Sequence, residues 1–198
     1  MRKLLVAFTV ALSLASTASA APIYWDPSAG GNGHYYEFVS DVTTWDAAEA
    51  AAAASSYLGL DGYLATVTSA EEQAFIYGSV ATAIGWLGGN DRGGEGVWSW
   101  KTGPEAGSIF FGPGAPGGAF AFWSAGEPND CCGGEDDLVF GWGAGGAWND
   151  IGLPAFPDYT VGRYVEYSEK STVPEPASLI LVGSGLLLAV RRFNRRAR

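Results

Sequence analysis

Glu127-Pro128-Asn129, Glu135 and Trp148-Asn149-Asp150 place three carboxylates and two amides within 24 positions of one stretch rich in glycine and tryptophan. Each offers a side-chain oxygen, and hard oxygen donors in this number are the chemistry of calcium, which takes six to eight of them. Three carboxylates against the ion's two positive charges leave one negative charge and vacant coordination positions. Water or the vicinal hydroxyls of a sugar could fill those positions, with hydroxyl protons going to the Glu carboxylates and the Asn amides donating to remaining lone pairs. Glu127 and Glu135 could also be read as the acid and nucleophile of a glycosidase. Their amide neighbours and acidic company make shared metal ligation the simpler account, and no enzyme activity is expected.

Other acids gather near these five. Asp91, Glu95, Glu127, Asp130, Glu135, Asp136, Asp137 and Asp150 all fall within sixty residues, a density that is costly in irregular chain unless a cation neutralises it. The only cysteines, Cys131 and Cys132, are adjacent. They cannot form a disulfide scaffold within one chain, and a vicinal disulfide, an intermolecular bridge or two free thiols all stay open. With His34 the only histidine, neither a zinc site nor a Ser-His or Cys-His arrangement is readable.

The ends of the chain bound where this segment works. Residues 1–20 run from Met1-Arg2-Lys3 through an apolar stretch, Leu4 to Leu14, to Ala18-Ser19-Ala20, the layout of a secretory signal peptide. At the other end Val173-Pro174-Glu175-Pro176 precedes an apolar stretch, Ala177 to Val190, and a cluster of five arginines. As a helix that stretch would reach roughly 21 Å, short of a bilayer core of roughly 30 Å, so transient inner-membrane contact is expected, with the arginines on the cytoplasmic side. These residues resemble the PEP-CTERM sorting signal of Gram-negative bacteria. That resemblance implies an exosortase that removes 173–198 and passes residues 21–172 to the cell surface or the exopolysaccharide matrix. From Asp26 to Glu175 lie four basic residues against all 21 acidic ones, a net charge of −17, which excludes nucleic acid as a partner.

A single domain of about 150 residues has to position the acidic stretch. Gly33 to Val39 reads as a first strand. Thr43 or Thr44 can cap an alanine-rich helix from Trp45 to about Tyr57. Tyr63 to Val67 reads as a strand, and Ser69-Ala70-Glu71-Glu72 is a capping box opening a second helix to about Gly78. Trp86 to Gly89, Val97 to Trp100, Leu138 to Trp142 and Arg163 to Tyr167 have the content of short strands, separated by long Gly- and Pro-rich loops. The class is therefore α+β rather than a βαβ sheet.

Gly62-Tyr63-Leu64-Ala65-Thr66-Val67, Trp86-Leu87-Gly88, Glu95-Gly96-Val97-Trp98-Ser99-Trp100, Trp123, Glu127-Pro128-Asn129 and Trp148-Asn149-Asp150 appear in the order of a C-type lectin-like domain, which the region from Gly33 to Tyr167 resembles. The resemblance implies that fold, with two helices, short antiparallel strands and a long calcium-binding loop region. It implies a cis peptide before Pro128, a principal Ca2+ on Glu127, Asn129, Glu135, Asn149 and Asp150, and an auxiliary Ca2+ on Asp91, Glu95, Asp130 and Asp136. It also implies a mannose-type preference from the Glu-Pro-Asn triplet, and core roles for Trp98, Trp100, Trp123 and Trp148. The sequence departs from the family where cysteines usually tie the first helix to the last strand: alanines within Ala50 to Ala54 and Val165 stand there, and Asp137 occupies a strand cysteine's place. Phe110 to Phe122 is longer than the corresponding loop, and reads as a packed lid or a partner surface. The function expected is a calcium-dependent carbohydrate or exopolysaccharide binder at the cell surface; the alternative is a calcium-stabilised adhesion or matrix domain that binds no sugar.

Overall fold

The computed structural model describes residues 21–169. The signal segment, the Val173-Pro174-Glu175-Pro176 motif and the apolar stretch after it lie outside the described residues. Among the described residues no helix is long and apolar enough to cross a membrane.

Ten strands and two helices follow in the order β1 (Ile23–Tyr24), β2 (Tyr35–Thr43), α1 (Trp45–Ala53), β3 (Ser56–Tyr57), β4 (Leu60–Leu64), α2 (Ala70–Phe75), β5 (Gly85–Asn90), β6 (Trp98–Trp100), β7 (Ile109–Phe111), β8 (Glu135–Phe140), β9 (Asn149–Pro154) and β10 (Val161–Ser168). The main path of the sheet is β1-β2-β10-β5-β6-β7; β4 adds to β10, and β8 joins β5 to β9. Every named pairing is antiparallel except β10 with β5. The expected α+β class is the one observed.

Alanine favours helix in α1, and its buried positions, Trp45, Ala48 and Ala52, fall on one stripe. The helix stops at Ala53 rather than near Tyr57, because Ser56 and Tyr57 form β3 and turn back into β4. The two residues between, Leu58 (φ 52°) and Gly59 (φ 83°), both have the positive φ of a tight hairpin. Thr44 sits at the N-cap of α1 but makes no side-chain capping bond. At α2, Ser69 accepts the Glu72 N–H as expected. The reciprocal half of the capping box is absent: Glu72 Oε2 takes the Thr68 N–H at 2.7 Å, and α2 gives way after Phe75 to a wider turn over Ile76–Val80.

The core divides into two clusters. One surrounds Trp148, which is fully buried, with Trp100, Phe110, Phe120 and Trp123 at ring distances of 5.8–6.0 Å. The tryptophans therefore pack as the core they were expected to be, with Trp123 at the edge, and Phe110 and Phe120 bring the long Phe-rich loop down onto them as a lid. The other cluster contains Trp45, Ala48, Ala52, Leu64, Trp86, Val139 and Val165. Here close apolar packing between α1 and β10 stands in the place where the resemblance would lead one to look for a crosslink. Packing is tight elsewhere too: a Cβ added at Gly88 would lie 1.9 Å from Thr102 Oγ1 and 2.6 Å from the Leu64 carbonyl, so only glycine lets β5 pass.

Candidate metal and ligand site

The β8–β9 hairpin supplies three of the five candidate ligands. Its ladder pairs Val139 with Asn149, Leu138 with Asp150 and Glu135 with Pro154, so Glu135, Asn149 and Asp150 stand on one rigid ribbon. The other two come from the loop before β8, fastened where Ser124 donates to the Trp148 carbonyl and Glu127 donates to the Ser124 carbonyl. The Glu127–Pro128 peptide is cis, as the family resemblance implies.

Asp150 organises this loop. Its Oδ2 accepts the backbone N–H of Asn129 at 2.9 Å and of Asp130 at 2.8 Å. Glu135 Oε2 accepts the Cys131 N–H at 3.1 Å, and Asp130 Oδ1 accepts the Glu135 N–H at 3.0 Å. Glu135, Asn149 and Asp150 are buried, Glu127 is half-buried and Asn129 is exposed. Glu127 Oε2 and Asn149 Oδ1 are buried with no hydrogen-bond partner, an arrangement that costs free energy unless something electropositive meets them. The Asn149 amide nitrogen bonds the Asp150 carbonyl at 2.6 Å, which leaves Asn149 Oδ1 as its ligand atom and commits its donor elsewhere. Desolvation holds the Glu127 carboxyl above the usual range, with Asp150 and Glu135 adding to it; Glu135 is raised by the same causes, burial first and then Asp150. No basic side chain is among the five, so a cation is the charge this set is short of. The donor types are those calcium takes, but among the described residues Glu127, Glu135 and Asp150 are not a group of carboxylates whose ligand oxygens all meet within 4.8 Å.

A second group lies at the end of β5. Ligand oxygens of Asp91, Glu95 and Asp136 come within 4.8 Å of one another. Asp91 is buried, its Oδ2 accepts the Gly96 N–H at 2.8 Å and its Oδ1 has no partner. Burial, reinforced by Glu95 and Asp136, pushes the Asp91 carboxyl up to about 7. Asp130, expected with these three, is not in the group; its carboxylate holds the Glu135 backbone instead.

Three features escaped the sequence reading. Asn90 is buried beside Asp91 with its Oδ1 unpartnered. Arg92 forks onto Asp137, Nε to Oδ1 and Nη2 to Oδ2 at 2.8 Å each, reaches Asp46 at 2.5 Å and lies over the Trp45 ring; the nearness of Asp137 in sequence to the acidic cluster hid its role as Arg92's partner. Cys131 and Cys132, left open between three states, form a disulfide with each other. Away from these loops, Tyr36 bridges two buried carboxylates, donating to Glu72 Oε1 at 2.6 Å and lying 3.0 Å from Glu166 Oε1, which His34 Nδ1 meets at 2.5 Å.

The structure of the C-type lectin CEL-I from Cucumaria echinata superposes with a TM-score of 0.54 at 26% identity, over 69% of this chain and 91% of that one. The fold is that of the C-type lectins. Among curated relatives, Halomucin of Haloquadratum walsbyi is 46% identical over 99 residues, half of this chain, and mouse C-type lectin domain family 4 member F is 38% identical over 72 residues, 36% of it. The chain spans only 1% and 12% of those two proteins' own lengths. The type-2 ice-structuring protein of Hemitripterus americanus is also similar, at 28% identity, over 68% of this chain and 69% of its own. Toward the C-terminus, residues 172–196 match the PEP-CTERM protein-sorting motif.

Proposed function

We propose that this C-type lectin-like domain binds carbohydrate through calcium held by Glu127, Asn129, Glu135, Asn149 and Asp150. The observation that carries this reading is the pair of buried, unpartnered oxygens, Glu127 Oε2 and Asn149 Oδ1, on a loop and a strand already locked together by Asp150. Calcium, when bound, supplies open coordination positions for two vicinal sugar hydroxyls. The chain's own residues do the rest. Glu127 and Glu135 accept the hydroxyl protons, and the exposed Asn129 amide donates to a sugar oxygen. A mannose-type ligand is favoured by the Glu-Pro-Asn triplet. A second calcium on Asp91, Glu95 and Asp136, with Asn90 Oδ1 facing the same need for a partner, would neutralise the adjoining loop. The C-terminal motif supports export, exosortase processing and display at the cell surface or in an exopolysaccharide matrix, with the inner membrane touched only during sorting.

Glycan-array binding with calcium and with EDTA tests this. Expected is signal on mannose-type glycans that vanishes in EDTA and in Asn149→Ala. Calcium-dependent melting without glycan binding would instead favour the second reading, a calcium-stabilised adhesion or matrix domain. That reading has its own support: apolar packing of Ala48, Ala52 and Val165 where a crosslink is customary, and a similar chain known as an ice-structuring protein.

A further inference from the structure

Cys131 and Cys132 are joined across a single peptide bond in the middle of the candidate metal loop, and both are exposed. The bonds on either side of them run to the ligand set. Asp130 gives its N–H to Asp150 and takes the Glu135 N–H, while Cys131 gives its N–H to Glu135. The bridge therefore lies inside the short circuit of bonds that orients two of the three principal carboxylates.

Apart from the bridge, hydrogen bonds hold this turn: Gly134 donates to the Cys131 carbonyl at 3.2 Å, and Glu135 and Asp130 take the backbone N–H groups already named. Asp130 (φ 49°) and Cys132 (φ 65°) occupy the left-handed region, and with Leu58 they are the non-glycine residues that do so among the described residues. Residues with side chains reach that region at a cost. The turn over Cys131–Gly133 has no side-chain cap and buries none of its residues. Its covalent closure is the disulfide alone.

We infer that the Cys131–Cys132 disulfide is a redox-sensitive positioning element for the calcium loop: oxidised, it holds Asp130, Glu135 and Asp150 in register; reduced, it releases the loop and calcium affinity falls. The inference rests on the proposed calcium site. A dithiol reductant balances the step. Its thiolate attacks one cysteine Sγ, the other cysteine sulfur leaves as a thiolate, and the reductant's second thiol resolves the mixed disulfide by closing into a cyclic disulfide. Two electrons and two protons pass to the protein, which now carries two thiols. Once freed, the residues of the turn must be ordered again at each binding event, a cost that weakens binding on the order of tenfold.

Calcium titration calorimetry on the full chain tests this, using oxidised protein, protein reduced with dithiothreitol, and the Cys131→Ser/Cys132→Ser variant. Expected is an affinity about tenfold lower in the reduced protein and in the variant, with the variant indifferent to reductant and the calcium-free melting temperature unchanged throughout. Equal affinity in oxidised and reduced chains would overturn this inference while leaving the calcium site standing. No calcium binding by oxidised protein would overturn both. A fall in calcium-free melting temperature large enough to account for the lost affinity would also overturn it, because the bridge would then be holding the fold rather than the loop.

Discussion

At the scale of single residues, the site is a set of oxygens under electrostatic load. Asp91, Glu127, Glu135 and Asp136 all have their ionised forms disfavoured, burial being the first cause in each. Metal ligation requires those forms, so binding must release protons. The sign follows: with Asp91 at about 7, calcium affinity should rise as pH increases through neutrality and fall as the carboxyls take up protons below it. Calorimetry in buffers of different ionisation enthalpy reads this directly, as a proton released per calcium that diminishes toward alkaline pH. Glu135→Gln should weaken calcium binding by tenfold or more, since it removes a charge from the proposed ligand set and leaves the Cys131 N–H with a weaker acceptor.

At the scale of elements, Arg92 is the fastener between α1 and the β5–β8 pair. Its guanidinium holds Asp137, which is 2% exposed, and also touches Asp46 and Trp45 of α1. Arg92→Ala would leave the Asp137 carboxylate buried without its partner, costing about 2 kcal/mol in the urea unfolding of the calcium-free domain; Asp46→Ala, which removes the exposed contact, should cost well under 1 kcal/mol. Much of this layer was legible in the chain. The tryptophan positions and the Ser69 cap are local signals, and those residues stand where that reading puts them; the Glu-Pro-Asn triplet is equally local and marks the cis Pro128 peptide. β1, β3, β7 and β9 were not legible. Three of them are only two or three residues long, and β9 contains a glycine and ends at a proline, so their strand character comes from pairing rather than propensity. β8 begins at Glu135-Asp136-Asp137, which reads as loop until β5 and β9 are placed on either side of it. The Tyr36, Glu72 and Glu166 network joins residues 36 and 130 positions apart and has no periodic trace at all.

At the scale of the whole molecule, those buried acids set how stability depends on pH. Burial, then the neighbouring Glu166 charge, raises Glu72 from 4.5 to about 7, and the charges of Glu166, Glu105 and Glu72 outweigh desolvation to raise His34. Both groups bind protons more tightly in the folded state. For Glu72 the contribution is complete below its unfolded value and is lost as pH rises through about 7; for His34 it is likewise lost as pH rises through its raised value. Calcium-free protein should accordingly melt at a lower temperature at pH 8 than at pH 6, measured by circular dichroism. Glu72→Gln, which keeps the size and one acceptor for the Thr68 N–H but not the titrating group, should flatten that slope. Calcium acts in the opposite sense by favouring ionised ligands, and at a hundredfold excess over its dissociation constant should raise the melting temperature by roughly 5–10 °C.

The position of β10 carries a mechanical consequence. It is the last described strand before the sorting segment, and it pairs along most of its length with β2, over Val165–Ser168 with β4 and at its start with β5. A pull arriving through the residues after Ser168 is directed along a strand in the middle of the sheet rather than along a free edge. The ladder bonds to β2 and β4 would then be loaded together in shear instead of opening one by one. A domain tethered by its C-terminal end would meet drag from flowing liquid with its most interlocked strand, while Asp150 stands on β9, which pairs with β8 and not with β10.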